Sequence, residues 1–295
     1  MPVYRLFFLV LLCAGIGIAG PLQAQPYERT VRDTVAFTPG SVSVDSKKGS
    51  ITVSTWDRDI FAYEARIVSG QGPEIVENTV IEADKFNQQF SLVTNLDNLE
   101  AGWSFGPELF GYGVSHPEVH YTLTVPRRAE LSVDDTESTI EIDGLAAPLR
   151  VETLESDVQV RNQRGPVRVD AHEGMVSLTD VQGDLKVDTH EGTVQVTGLR
   201  GRLMLDTHEG ESEVAIDSLA AVEVDTHEGD VTLTMPPGAS FDLSTDLGDD
   251  ARLRGPTDLS SLREDEENDY AGAVRGGGPL VHLSSHEGEI TLRTP

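Results

Sequence analysis

The chain has a single cysteine, Cys13, and it lies inside an apolar N-terminal stretch. Once that stretch is removed, neither a disulfide nor a thiol nucleophile is available. Lysine is nearly as scarce, confined to Lys47, Lys48, Lys85 and Lys186. Positive charge as a whole is short, with 22 basic residues against 50 acidic ones. Repulsion on that scale excludes nucleic acid and anionic lipid as partners. Aromatic residues almost vanish after position 130, where only Phe241 and Tyr270 occur. No second long apolar run follows the first, so no stable membrane insertion is expected after the leader is gone. There is no Gly-x-Ser-x-Gly, His-Glu-x-x-His or P-loop pattern, so the sequence reads as a non-enzyme.

The first apolar stretch has the build of a signal peptide. Arg5 supplies the positive start, Leu6 to Ile18 the apolar middle, and Leu22-Gln23-Ala24 the cleavage site. Residues 1–24 are therefore expected to be removed. Leu12 before Cys13 does not suit a lipoprotein box, which wants a small residue there. An exported protein follows, periplasmic, outer-surface or extracellular. Its acid-rich, lysine-poor composition has two readings. One is adaptation to high salt, where a Debye length of about 3 Å at 1 M removes most self-repulsion. The other is a cation-binding surface.

What the chain does contain is a repeat. His-Glu-Gly occurs five times, at His172, His190, His208, His227 and His286. The first four are 18, 18 and 19 residues apart, and the period extends upstream through Glu155 and Glu137. Apolar residues alternate on both sides of each polar turn. Leu185/Val187 and Val194/Val196 bracket one turn, Leu149/Val151 and Val158/Val160 another. A period of two means two short strands per repeat. Strands that short need a copy above and below. The expected fold is all-β: a parallel β-solenoid, like a right-handed β-helix, with coils of about 18 residues. Eight such coils would stack to roughly 40 Å. An antiparallel meander of 18-residue hairpins is the rival arrangement. The Glu209 repeat reads as having a longer turn, with its second apolar pair at Val214/Ile216.

The first repeat comes early: Val42/Val44 and Ile51/Val53 flank Asp45-Ser-Lys-Lys-Gly49. A different sequence intervenes from Trp56 to Pro126 and holds most of the aromatics, among them Phe61, Tyr63, Phe90 and Tyr121. Rings that large suit an aromatic-rich N-terminal β cap or insert, with strands expected near 57–68, 75–93 and 117–126. The divisions are then a leader at 1–24, an N-terminal β region at 25–126, and a solenoid at 127–295. A solvated loop insertion at 255–278 interrupts the last of these.

Three segments carry a resemblance: Gly49-Ser-Ile-Thr-Val-Ser-Thr-Trp-Asp57, Tyr121-Thr-Leu-Thr-Val-Pro126 and the repeated Val-Asp-Thr-x-x-Gly-x-Val-x-Val. Over roughly residues 35 to 295 the chain resembles the bacterial putative-adhesin β-strand-repeat family. That family is a cell-envelope group of unknown function. The resemblance implies a β-repeat fold and a role at the envelope, and it brings no catalytic residues. The His-Glu pair stands where family members usually carry small polar residues.

Stacking the coils would align the repeated turns into columns: His172, His190, His208 and His227; the acids Asp134, Glu152, Asp170, Asp188, Asp206 and Asp225; and Glu173, Glu191, Glu209 and Glu228. Like charges about 4.8 Å apart repel, and salt, bound cations or protonated histidines would offset this. Histidine beside acids gains charge in mild acid, so pH would neutralise part of the ladder. Imidazole and carboxylate together suit a divalent ion such as zinc, carboxylate alone calcium. The best-placed candidate ligands are Asp188, His190, Asp206 and His208, and no cofactor beyond such a divalent cation is implied. The bland alternative is a polar turn copied by duplication, with glycine supplying the backbone freedom. The function expected is a non-catalytic exported β-repeat protein, structural or adhesin-like, acting on an unknown envelope or surface component. A divalent-cation-binding solenoid is the first alternative. A carbohydrate-active β-helix is the second, with Trp103, Phe105 and Tyr112 as its first candidates.

Overall fold

The computed structural model describes residues 26–37, 40–101, 116–256, 263–264 and 269–294. The leader, Trp103, Phe105 and Tyr112 lie outside the described residues. The N-terminal elements are β1 (Tyr27–Ala36), β2 (Ser41–Asp45), β3 (Lys48–Trp56), β4 (Ile60–Ser69), α1 (Pro73–Asn78), β5 (Val80–Phe86), β6 (Gln89–Asn95), α2 (Asp97–Ala101) and β7 (Glu118–Pro126). The repeats form β8 (Glu130–Asp135), β9 (Glu137–Asp143), β10 (Leu149–Glu155), β11 (Asp157–Arg161), β12 (Val167–Thr179) and β13 (Leu185–Thr234). The C-terminal strands are β14 (Phe241–Arg254), β15 (Arg263–Glu264), β16 (Tyr270–Val274) and β17 (Leu280–Arg293).

The repeats pair in parallel with like residues in register. Leu149 faces Val167 and Val167 faces Leu185; Val158 faces Val176 and Val176 faces Val194. These pairs lie 18 residues apart, so each repeat is one layer of a stack and the antiparallel meander is excluded. Register follows from burial: a slip of one residue would turn Val187 outward and Lys186 into the core. Four apolar side chains per layer, such as Leu185, Val187, Val194 and Val196, are fully buried. Ser212 is only 2 % exposed. It lies as far beyond Glu209 as Val194 lies beyond Glu191, so it fills that column position with no extra length in the turn.

A second corner closes each layer. Gly144, Asn162, Asp180 and Gly198 have φ of 80°, 54°, 55° and 75°. Left-handed backbone favours these residue types. The Asn162 amide also donates to Asp143 at 2.8 Å. Beyond this corner the chain makes only single parallel bridges, Arg164 to Gln182 and Gln182 to Arg200, before re-entering the next layer.

Both ends of the stack depart from chain order. β2 lies between β6 and β8, and β3 between β7 and β9, all parallel. The earliest repeat is thus an inner layer. Outside it the pairing turns antiparallel, β5 on β6 and β4 on β7, with β1 on β4. Phe61 and Phe90 pack here with ring centroids 4.7 Å apart, and Phe37, Phe61 and Tyr121 are fully buried. The segment read as a strand over 75–93 is α1's end followed by the β5–β6 hairpin. At the other end β17 inserts between residues 222–234 of β13 and β14, parallel to both. β16 then pairs antiparallel with β14, and β15 with β16. The stretch 255–278 therefore carries two strands. β14 forms a layer side without a His-Glu-Gly turn.

Candidate functional site

The His-Glu-Gly turns form one ridge. Residues before each turn alternate inward and outward as in any strand: Val187 in, Asp188 out, Thr189 in. At the corner both His190 and Glu191 are exposed. Gly174, Gly192, Gly210 and Gly288 then take positive φ, from 101° to 156°. Each coil repeats this path, so the side chains stack.

The imidazoles of His172, His190, His208 and His227 lie with centroids 4.6–4.7 Å apart and planes within 11° of one another. His286 extends the column at 4.8 Å but is turned by 37°. In the first four, Nδ1 lies 3.7–3.9 Å from Oε1 of the following Glu. Glu155, Glu173 and Glu191 align beside them, as do Glu228, Glu287 and Asp250 further along. The acids two residues earlier form a third column: Glu152, Asp170 and Asp188 are in register. Arg150 pairs with Glu152, and Arg168 with Asp170 at 3.1 Å. Asp206 has no such arginine. Burial raises its carboxyl above the ordinary value, and Asp188 and Asp225 add to this, while Lys186 and His208 oppose it.

Of the four predicted ligands, Asp188 and Asp206 therefore share one column and His190 and His208 the next. The two columns stand two residues apart on one outward face. Among the described residues no group of three or more His, Cys, Asp or Glu side chains is placed to hold a metal ion.

Two features of the ridge's interior escaped the sequence reading. Thr153, Thr189, Thr207 and Thr226 point inward beneath it, and their buried hydroxyls have no hydrogen-bond partner among the described residues. At the upstream end the same position is Asp135, 4 % exposed. Its carboxylate accepts from the Ser138 hydroxyl at 2.8 Å and the Ser156 hydroxyl at 2.7 Å. The signal was available: serine replaces the repeat's glycine only at 138 and 156, and aspartate stands at the threonine position only once.

The surface offers shallow clefts. One of about 520 Å³ is lined by Lys48, Glu118, Glu137, Glu155, Asp157 and Glu173. Another of about 380 Å³ sets Arg150, Arg168 and Lys186 beside Pro148, Pro166 and Met204. The ionisable groups lining both clefts run in rows. No helix among the described residues is long and apolar enough to cross a membrane.

The fold and ridge define an all-β, solenoid-like repeat protein. The chain belongs to the Toastrack DUF4097 family, whose sequence profile matches residues 96–293. No curated protein matches it. Solved structures similar to it include a putative cell adhesion protein from Clostridium sporogenes, 9 % identical, covering 92 % of this chain and 100 % of that one, with a TM-score of 0.25. A putative adhesin from Bacteroides fragilis is 9 % identical over 90 % of this chain and 97 % of that one, with a TM-score of 0.32. A third, a putative adhesin from Parabacteroides merdae, is 10 % identical over 91 % and 96 %, with a TM-score of 0.28.

Proposed function

We propose that this is a non-catalytic, exported protein that presents its acidic ridge as a structural or adhesive contact surface at the cell envelope. The observation that carries the reading is the regularity of the ridge. Five imidazoles repeat at 4.6–4.8 Å along one line, flanked by carboxylate columns on either side. Catalysis needs groups that converge on one point; a repeating contact surface needs groups that do not. In this reading the coils wind right-handed, the aromatic N-terminal region caps the stack, and the charge keeps the surface hydrated in salt. The partner is an envelope or surface component that tolerates negative charge. The test is a pull-down from envelope extracts with the parent and with Glu173, Glu191, Glu209 and Glu228 all changed to Gln. The parent captures a component and the variant loses it; equal capture by both sinks the ridge as the contact surface.

A second reading is divalent-cation binding at Asp188, His190, Asp206 and His208. It is favoured by the raised carboxyl of Asp206, to which burial contributes most and the neighbouring Asp188 and Asp225 add. A bound cation would relieve this. Metal analysis and melting curves with and without chelator decide it; no metal and an unchanged melt would dispose of it.

A further inference from the structure

The outermost strand at the N-terminal end has one side open. β1 pairs with β4 along its whole length, from Tyr27 opposite Ser69 to Ala36 opposite Ile60. Among the described residues no strand pairs along its other side. A 10-residue edge presents a row of unpaired N–H and C=O groups that can accept another strand. Val31 and Val35 stand opposite the buried Ala65 and Phe61, so the odd-numbered residues of β1 face inward. Both valines are only partly buried against the core, and Tyr27 on the same face is exposed. Charge is balanced here, although the chain as a whole carries a net charge of -28 at pH 7. β1 and β4 together hold Glu28, Asp33 and Glu64 against Arg29, Arg32 and Arg66. Arg66 lies 3.6 Å from Glu28, and Arg32 stands opposite Glu64. Two copies can approach at this edge without the repulsion that the acid columns would impose.

We propose that a second copy of this chain docks on that edge, β1 pairing antiparallel with the partner's β1 about a two-fold axis at Val31. A two-fold axis perpendicular to the sheet keeps the inner faces together, so each residue meets only residues of its own face. Centred on Val31, residues 27–35 pair throughout. Arg29 then meets the partner's Asp33, and by symmetry the contact is made twice. Tyr27 meets the partner's Val35, and Val31 meets the partner's Val31. Opposite charges directly across antiparallel strands attract and like charges repel. The neighbouring registers are worse on that rule. Centring on Arg32 would set two arginines against each other and Val31 against Asp33. Centring on Thr30 would shorten the pairing to residues 27–33 and set Val31 against Arg29. β5 is the other open edge at this end, paired only with β6 among the described residues. Its central registers put Glu82 against Asp84, Glu82 against Glu82 or Asp84 against Asp84, so it repels its own copy. The Ala36 carbonyl accepts from Lys85 Nζ at 2.5 Å and falls just outside the span that pairs. The proposal is independent of the ridge, to which β1 contributes no residue.

The experiment is sedimentation equilibrium of the purified protein, with Asp33→Arg and Arg29→Asp beside the parent. One added strand pair is a small interface, so the parent should dimerise with a Kd of about 100 µM. D33R sets Arg against Arg at both contacts, and R29D sets Asp against Asp. Each should raise the Kd at least about tenfold. An equimolar mixture of the two restores Arg opposite Asp at both contacts and should dimerise within about threefold of the parent. Melting curves establish that the variants fold. Should R29D unfold, crosslinking takes its place, in a Cys13→Ser background under mild oxidation. Val31→Cys brings two thiols opposite each other, with Cα atoms about 4.5–5.5 Å apart, within disulfide range. It should crosslink to a dimer. Thr34→Cys, more exposed but about 20 Å from its own copy across the axis, should not. A parent that stays monomeric, a D33R protein that dimerises like the parent, a mixture that stays monomeric, or T34C crosslinking as readily as V31C would overturn the proposal.

Discussion

Gly192→Ala tests whether the coils stack as closely as the glycine column requires. Gly192 has φ of +156°, and a Cβ there would lie 2.2 Å from the Gly174 carbonyl oxygen. The same relation recurs between Gly210 and Gly192 at 1.9 Å. An ordinary contact is at least about 3.4 Å, so the new methyl forces a separation of more than an ångström between two hydrogen-bonded strands. The obstacle is backbone, not a side chain that can swing away. Overpacking costs about 1–3 kcal/mol, and backbone that glycine alone adopts readily adds about 1–2 kcal/mol. The expected loss is about 2–5 kcal/mol, read from urea unfolding, with hydrogen exchange accelerated first in the strands flanking residue 192. Gly70 is the control. It has no atom within 4 Å of a built Cβ, so Gly70→Ala should stay within about 0.5 kcal/mol of the parent. A G192A protein as stable as G70A would refute the close stacking. Ser138 and Ser156 occupy the same column as Gly49 and Gly174. They do so without positive φ and with hydroxyls bound to Asp135, so they do not show that a side chain fits at 192.

Asp206→Asn reports on the acid column. The folded state raises this carboxyl above its ordinary value. It therefore holds its proton more tightly than the unfolded chain does. Its stabilising share is complete below the ordinary carboxylate range and is lost as pH rises through the raised value. At pH 7 the charge costs stability, and Asn should raise the unfolding free energy by a few tenths of a kcal/mol, kept small by solvent screening. The gain should fade on acidification; a gain that grows with acid would contradict the assignment. Ser156→Ala removes one of two hydroxyls from the buried Asp135 carboxylate and should cost about 1–3 kcal/mol by chemical denaturation, whereas a neutral result would mean that water replaces it. Ending the chain at Gly278 deletes β17 and leaves Val222, Val224, Val231 and Leu233 without their covering layer. Hydrogen-exchange protection should then collapse over 222–254 and persist over 131–160; retained protection at 222–254 would refute the inserted position of β17.

What the sequence disclosed was local. The alternation of Leu185/Val187 and Val194/Val196 about a glycine turn repeats within 18 residues, so the strands, their inner faces and the stacking of His172 through His227 could be read directly. The second corner went unread: Gly144, Asn162, Asp180 and Gly198 share that spacing, but mixed residue types concealed a common backbone. The layer order could not be read. Whether β17 lies outside or inside β14 depends on which strand edges meet, and either order leaves the same alternation in Val281, Leu283, Ile290 and Leu292. β14 was missed because Asp246-Leu-Gly-Asp-Asp250 replaces the His-Glu-Gly turn. The raised carboxyl of Asp206 was not legible either, because Glu152, Asp170, Asp188 and Asp225 place an acid at the same position of the repeat.

The acid columns raise the question of what holds the coils together against them, and magnitudes answer it. Two carboxylates 4.8 Å apart repel by about 0.9 kcal/mol in water and about 3.5 kcal/mol at an effective dielectric of 20. Each added coil brings two such contacts, one in the Asp column and one in the Glu column. Against this, each coil buries four side chains of the Val or Leu kind, worth about 1.5–3 kcal/mol apiece. It also completes a parallel ladder whose backbone groups would otherwise face water. Apolar burial of about 6–12 kcal/mol per coil thus exceeds a repulsion of about 2 kcal/mol in water and is comparable with the roughly 7 kcal/mol reached at the harsher dielectric. The Arg150–Glu152 and Arg168–Asp170 pairs relieve it further in the upstream coils. In water-like surroundings the stack holds without a bound cation. A ridge that need not contribute to stability is free to be charged, and its five aligned imidazoles can be altered one at a time without unstacking the coils beneath them.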